Sequence, residues 1–166
     1  MTVSDWVNTL ITGLVGLLGV AVGAGFQYGM ERARERRQRL YEPAASMAAK
    51  LRRSATGLDY VIDRLLTRQT LEDDALPNAK QYIWEADGAR TGIEFNFRSS
   101  TGVFSLATAA IDQLKDAYAE VDAAAKTDPF DASAVQQQLT VVKTEYESAI
   151  AAFVEVAQRA ANGAGG

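Results

Sequence analysis

The chain has 166 residues, no cysteine, no histidine and a formal net charge of −4. These absences exclude disulfides, thiol chemistry and the usual zinc sites, and they remove the side chain most often used as a general base. The charge is divided along the chain: residues 1–53 hold eight basic and four acidic side chains, whereas residues 54–166 hold nine and seventeen. We therefore expect no nucleic-acid binding by the acidic distal part.

An uncharged segment of 25 residues, from Trp6 to Met30, dominates the N-terminal part of the chain. A helix of this length can cross a bilayer, whose hydrocarbon core needs about 20 apolar residues. Trp6 and Tyr28 stand near its two ends, and such rings favour the membrane–water boundary. The sequence thus predicts a transmembrane helix at 6–30, preceded by a short extracytoplasmic N-terminus at 1–5.

The arginines that follow this segment predict its orientation, because basic residues beside a span stay on the cytoplasmic side. We expect a single-pass protein of the bacterial inner (cytoplasmic) membrane, with its N-terminus outside and a basic juxtamembrane helix at 31–42 touching lipid headgroups. A cleaved signal peptide is the alternative, although it requires basic residues ahead of a shorter apolar core. The arginines are Arg32, Arg34, Arg36, Arg37 and Arg39.

Small and polar residues of the predicted span share one helix face of about 120°, at 100° per residue. In lipid, small residues let two helix backbones approach closely, so this face predicts a homo-oligomer or packing on a partner's membrane helix. The ordinary glycine richness of membrane helices is the alternative explanation. We call this face the glycine seam; it comprises Thr9, Thr12, Gly13, Gly16, Gly19, Gly23 and Gln27.

The rest of the chain predicts a cytoplasmic helical bundle at 43–161, followed by a disordered tail at 162–166. We expect the first helix to break or kink at Glu42–Pro43, because the residue before a proline is pushed away from helical geometry. Further helices are predicted at 43–68, 80–98, 103–125 and 131–161, with a loop at 71–79 and a turn at 127–131. Ser99 to Thr101 either cap a new turn or let a helix kink. The predicted fold class is all-α: an antiparallel bundle of about three long helices.

Apolar residues recur at helical spacing in each predicted helix and mark its core face. The residues Ile93, Phe95 and Phe97 also alternate as in a strand, but a lone strand has no partner, so helix is preferred. We place Trp84 in the core, with an exposed docking ring as the alternative, and the charges at 72–74 in a solvated loop. The predicted core residues are Met47, Leu51, Leu58, Ile62, Leu65, Tyr82, Ile83, Ala86, Ala89, Ile93, Phe97, Leu106, Ala107, Ala110, Leu114, Ala117, Val121, Val135, Leu139, Val142, Tyr146, Ala149, Phe153 and Val156.

Three stretches, at 13–43, 95–114 and 151–163, resemble a loosely defined group of small actinobacterial and phage-encoded membrane proteins. Members of that group have one N-terminal span, an arginine-rich juxtamembrane run and an alanine-rich helical bundle. The resemblance covers most of the chain and implies this topology, but it implies no biochemical activity. The turn at 127–131 and the aromatic run at 93–97 are not features of the group at large.

No phosphate-binding loop, nucleophile elbow or metal-ligand spacing occurs in the sequence, and we expect no cofactor, no metal site and no enzymatic activity. The leading hypothesis is a membrane-anchored interaction or scaffold protein that binds membrane lipid, a second copy or a partner membrane helix, and a cytoplasmic protein. The alternative is a phage-related membrane effector, either a holin-like pore former or a superinfection-exclusion protein.

Overall fold

In its described residues, the computed structural model is all-α, with four helices: α1 (Val3–Leu66), α2 (Ala75–Asn96), α3 (Thr101–Lys126) and α4 (Ala132–Gly163). The predicted turn at 127–131 lies outside the described residues, and α4 extends two residues beyond the predicted start of the tail. The structure describes the backbone of residues 3–97, 101–126 and 132–163, and the side chains at 30–32, 34–35, 38–97, 102–126 and 135–162.

Contacts between side chains define an antiparallel order in which each helix packs beside the next and α4 returns to α1. Later residues of α1 meet earlier residues of its neighbours: Lys50 reaches Glu85 whereas Gly57 lies beside Ala79, as expected where a short connection joins two helices. The helices α1 and α3 also approach each other across the centre. The contacts that establish this order are Arg53–Glu85, Asp87–Lys115, Glu120–Gln138 and Asp59–Lys143.

The described part of the chain therefore forms a bundle of four helices, which correspond to the four predicted helical ranges of the bundle rather than to about three long helices. The middle of the chain folds back on itself: α2 ends at Asn96, and α3 begins at Thr101 and runs antiparallel to it. Both helices carry an apolar face on the same core, including Ile93 and Leu114. Two amphipathic helices bury those faces against each other only if the chain reverses between them.

The predicted break at Pro43 is also wrong, because α1 continues through this residue for 64 residues in all. Proline removes one helical hydrogen bond, at a cost of about 3 kcal/mol in a helix interior. Packing on both sides offsets this cost, since Leu40 lies against the core and Ala44 and Met47 are buried in it. At 1.5 Å per residue, α1 is about 96 Å long.

The connection between α1 and α2 is shorter than the predicted loop, since α2 already begins at Ala75. Pro77 lies in the first turn of α2, where backbone N–H groups have no helical acceptor and a proline loses nothing. At the end of α1, Arg68 adopts a φ of 53°, and its N–H donates to Leu65 O while the Gln69 N–H donates to Arg64 O. These two bonds form a Schellman motif, which usually has glycine at the position of Arg68.

The core of the bundle is formed by apolar side chains from all four helices, and the predicted stripes are largely confirmed. Each fully buried Leu, Ile, Val, Phe or Met contributes about 1.5–3 kcal/mol to folding. The ring of Tyr82 packs against Gly57, where a Cβ atom would lie 3.0 Å from Cδ2 of the ring. The largest fully buried side chains are Met47, Leu51, Leu58, Val61, Ile62, Ile93, Val103, Ile111, Leu114, Leu139, Tyr146 and Phe153.

Candidate functional site: helix surfaces and interhelical polar contacts

The predicted lipid-contacting arginines lie on α1, between the apolar segment and the bundle. Arg32, Arg34 and Arg39 are exposed, and the side chains of Arg36 and Arg37 lie outside the described residues. From Met30 to Leu40, where α1 first meets the core, the helix rises about 15 Å. An exposed basic segment of this length suits a lipid headgroup layer, because anionic lipids attract basic residues near the surface.

The structure does not describe the side chains of the predicted span at 6–30, apart from Met30. These include all side chains of the glycine seam: Thr9, Thr12, Gly13, Gly16, Gly19, Gly23 and Gln27. Within the described residues, no helix is long and apolar enough to cross a membrane. The helical backbone of α1 nevertheless includes these positions, so the seam, the arginines and the first helix of the bundle belong to one element.

A polar cluster joins α1 to α4 at the edge of the core. The Tyr146 hydroxyl donates a hydrogen bond to the Asp59 carboxylate, and Lys143 Nζ lies 2.9 Å from the same carboxylate oxygen. Tyr146 is fully buried, whereas Asp59 and Lys143 are partly exposed. A buried Tyr needs a partner for its hydroxyl, and Asp59 provides one that is itself compensated by a cation.

The electrostatics of this cluster favour the protonated forms of both of its donors. Burial raises the pKa of Tyr146 far above its usual value, and the hydrogen bond to Asp59 raises it further. The hydrogen bond to Asp59 likewise raises the pKa of Lys143. Tyr146 is therefore a neutral hydrogen-bond donor at physiological pH, and the cluster is suited to holding two helices in register rather than to removing a proton from a substrate.

A second interhelical ion pair joins α2 to α3, where Lys115 Nζ lies 2.8 Å from Asp87 Oδ2. Arg90 Nε approaches Asp87 Oδ1 to 3.4 Å, although this buried oxygen has no hydrogen-bond partner among the described residues. Asp87 is therefore partly exposed and joins the two helices through one oxygen, while its other oxygen is buried. Beside the pair lies an open groove of about 370 Å³, which Trp84 and Tyr118 also line.

Trp84 is 70% exposed, so its predicted place in the core was wrong. Ile83 occupies the core position of that turn, and a neighbouring residue points about 100° away from it. Phe95 is 73% exposed and lies 11 residues further on, which returns to within about 20° of the same face of α2. Two large exposed aromatic rings on one helix face, separated by Gly88 and Thr91, form a surface typical of protein contact.

Among the described residues, no group of three or more acidic side chains could hold a metal ion. Glu72, Asp73 and Asp74 are exposed, as predicted for a solvated loop. Comparison with family models, with curated proteins and with solved structures found no match to this chain. The resemblance to small actinobacterial and phage membrane proteins stays a prediction.

Sequence reasoning did not find the polar cluster, although one signal was present. Tyr146 stands in the predicted apolar stripe of α4, and a Tyr at a core position requires a hydrogen-bond partner. The partner, Asp59, lies 87 positions earlier in the chain, so helical spacing alone does not connect the two. The groove beside Trp84 was missed for a different reason: Trp84 was added to the core, although the core face of α2 was otherwise placed correctly at Ile83 and Ala86.

Proposed function

We propose that this protein is a non-enzymatic, single-pass membrane protein whose helical bundle is a cytoplasmic interaction or scaffold module. The observation that carries the proposal is the continuity of α1, which runs from Val3 to Leu66 through Pro43 without interruption. A helix of about 96 Å is long enough for a membrane span, a basic segment and one full side of the bundle. Because the proposed span and the first helix of the bundle are one continuous helix, association of the span also sets the position of the bundle.

The arginine segment supports the orientation that we propose, with the bundle on the cytoplasmic side of a bacterial inner membrane. Arg34 and Arg39 are exposed on α1 between the proposed span and the first core residues. Basic side chains placed there favour the cytoplasmic side and contact anionic headgroups, at about 1 kcal/mol for each residue near the surface.

The contacts inside the bundle support an interaction role rather than catalysis. The polar groups between α1 and α4 satisfy one another, since Tyr146 and Lys143 both pair with Asp59. Its exposed aromatic rings, Trp84 and Phe95, lie on one face of α2 and leave apolar area open to solvent. Such area on a protein surface is typical of a binding site for another protein.

Self-association through the glycine seam is tested by replacing Gly19 and Gly23 together with leucine in the full chain. We expect the detergent-solubilised variant to lose its oligomeric mass in light scattering, because leucine holds the two backbones apart. The double replacement Gly25→Leu and Gly29→Leu is a matched control. It has the same spacing and chemistry on another face of the helix, and it should remain oligomeric. An unchanged mass for Gly19→Leu/Gly23→Leu would remove the seam from the proposal.

The anchor is tested by extracting membranes from expressing cells with alkaline carbonate, which we expect to leave the protein in the pellet. The chain has no cysteine, so Thr2→Cys and Ser46→Cys each introduce a single label site. A membrane-impermeant maleimide should label Thr2→Cys in intact cells and Ser46→Cys only after lysis. Release by carbonate, or the opposite labelling, contradicts the proposed topology. Leakage of a small dye from expressing cells would instead favour a pore-forming effector.

A further inference from the structure

An open apolar groove runs between α1 and α4 at the end of the bundle nearest the arginines. Its narrow part has a volume of about 190 Å³, and a wider part of about 540 Å³ continues from it toward Glu147. Alanines form much of its floor, so a second helix can approach the backbones closely. The lining residues used in this argument are Tyr41, Ala45, Ala48, Ala49, Val154 and Ala157.

The solvent-facing side of α1 is divided into two halves along this groove. Tyr41, which is 61% exposed, lies on the α4 side together with the exposed side chains of Ala45 and Ala49. On the α2 side, Glu42 and Arg53 are exposed and charged. Apart from Arg52, the groove side of α1 therefore exposes more apolar area to solvent than the α2 side does.

The sequence pattern places the groove side of α1 on the same face as the glycine seam. By residue spacing alone, at an ideal 100° per residue, Tyr41, Ala45, Ala48 and Arg52 share the face that the seam positions occupy. The core side of α1, represented by Met47 and Leu51, points about 120° away. Because α1 is unbroken from Val3 to Leu66, two copies that meet through their seams bring their grooves face to face.

The charges at the groove are complementary to those of a second copy. Arg52 lies in the groove and forms no ion pair with any described residue, while Glu147 and Glu155 line the wider part on α4 and pair there with Lys143 and Arg159 of their own helix. Two copies held in one membrane are parallel, so residues at the same depth meet. Antiparallel packing of α1 and α4 places Arg52 level with Glu155, and a two-fold symmetric contact pairs each arginine with the other copy's acidic rim.

We propose that the groove between α1 and α4 binds α1 of a second, parallel copy of this chain, so that association through the seam continues into the bundle. This inference rests on the proposed function, which supplies the parallel pair. The bundle is then part of the oligomer contact itself, and the aromatic face of α2 remains on the outside of the pair.

Disulfide scanning of the full chain in isolated membranes tests the proposal, because the native sequence has no cysteine. Single cysteines are placed at each position from 41 to 53 and oxidised with copper phenanthroline. We expect about tenfold more covalent dimer from Ala45→Cys than from Ser46→Cys, since a disulfide forms only where two α-carbons lie within about 7 Å. The yield of covalent dimer should be high again for cysteines that replace Tyr41, Ala48 and Arg52. It should be low for cysteines that replace Glu42 and Arg53.

A cysteine in the seam, Gly16→Cys, separates failure of this inference from failure of the proposed function. A dimer from Gly16→Cys with uniform low yields at 41–53 leaves the membrane contact intact and overturns the groove contact. A dimer from Ala45→Cys without one from Gly16→Cys supports the groove and contradicts the seam. Absence of dimer from both contradicts the proposed self-association. Ala45→Cys adducts that differ in mass from a dimer of the 17.9-kDa chain assign the groove to another protein and overturn the inference.

Discussion

The Tyr146 hydroxyl donates a hydrogen bond to the Asp59 carboxylate across 87 positions of the sequence, and this contact joins α4 to α1. Lys143, one helical turn before Tyr146, pairs with the same carboxylate. The cluster lies next to the groove that we propose binds a second copy. It therefore holds the two helices that form the groove in a defined register.

Replacing Tyr146 with Phe should lower the free energy of unfolding by about 1.5–3 kcal/mol, the usual value for a hydrogen bond to a charged group. The ring remains, so the core keeps its volume. Chemical denaturation followed by circular dichroism measures the change. Tyr60→Phe is the control, because the Tyr60 hydroxyl is on the surface and bonds only to Arg64 among the described residues. Equal losses of unfolding free energy in the two variants would show that the Tyr146–Asp59 hydrogen bond stabilises the fold no more than a surface hydrogen bond does.

Stability should fall as pH rises above about 10, the ordinary pKa of tyrosine. The pKa values of Tyr146 and Lys143 are raised in the folded protein, so the folded state holds these protons more tightly than the unfolded state. Their stabilisation is complete below the unfolded pKa values and is lost as pH rises through the folded ones. Denaturation curves between pH 8 and about 11.5 measure this dependence.

The same titration applied to Tyr146→Phe isolates the contribution of the buried hydroxyl. The slope of unfolding free energy against pH should become shallower by up to about 1.4 kcal/mol per pH unit, which corresponds to one proton. Burial also raises the pKa of Tyr118, so Tyr118 contributes equally to the slope in both proteins. Identical slopes would mean that Tyr146 ionises as readily in the folded chain as in the unfolded one.

Replacing Arg68 with Gly should raise stability by about 1 kcal/mol. Arg68 has a φ of 53°, a left-handed conformation that costs about 1–2 kcal/mol for a residue with a Cβ atom and nothing comparable for glycine. Thermal unfolding monitored by circular dichroism detects the gain. Arg68→Ala removes the same side chain but keeps the Cβ atom, so it should give no gain. A similar gain from alanine would assign the effect to the lost charge.

Replacing Leu114 with Ala should lower stability by about 2–5 kcal/mol, because Leu114 is fully buried on α3. Val141→Ala, at a position that is 51% exposed on α4, should change it by less than about 0.5 kcal/mol. Both are measured by chemical denaturation under identical conditions. A small loss at Leu114 would indicate that the core is loosely packed around α3.

Most of the helices and of their buried faces could be predicted from residue spacing alone. Leu51, Leu58, Leu114 and Phe153 were expected in the core and are buried there. This information is local, since residues three, four and seven apart share one face of any helix. The same rule misplaced Trp84, because Trp84 and Ile83 are adjacent apolar residues and only the packing of α2 against α1 and α3 decides which of them is buried.

The helical class and the division of charge were readable in the sequence, because each depends on neighbouring residues or on composition. The reversal between α2 and α3, the continuity of α1 through Pro43 and the pairing of Tyr146 with Asp59 depended on packing between distant segments. A proline inside a helix has an energetic cost that depends only on its local position. A carboxylate or hydroxyl side chain has a preference for a hydrogen-bond partner. Whether another helix offsets that cost or meets that preference is decided only when the four helices share one core.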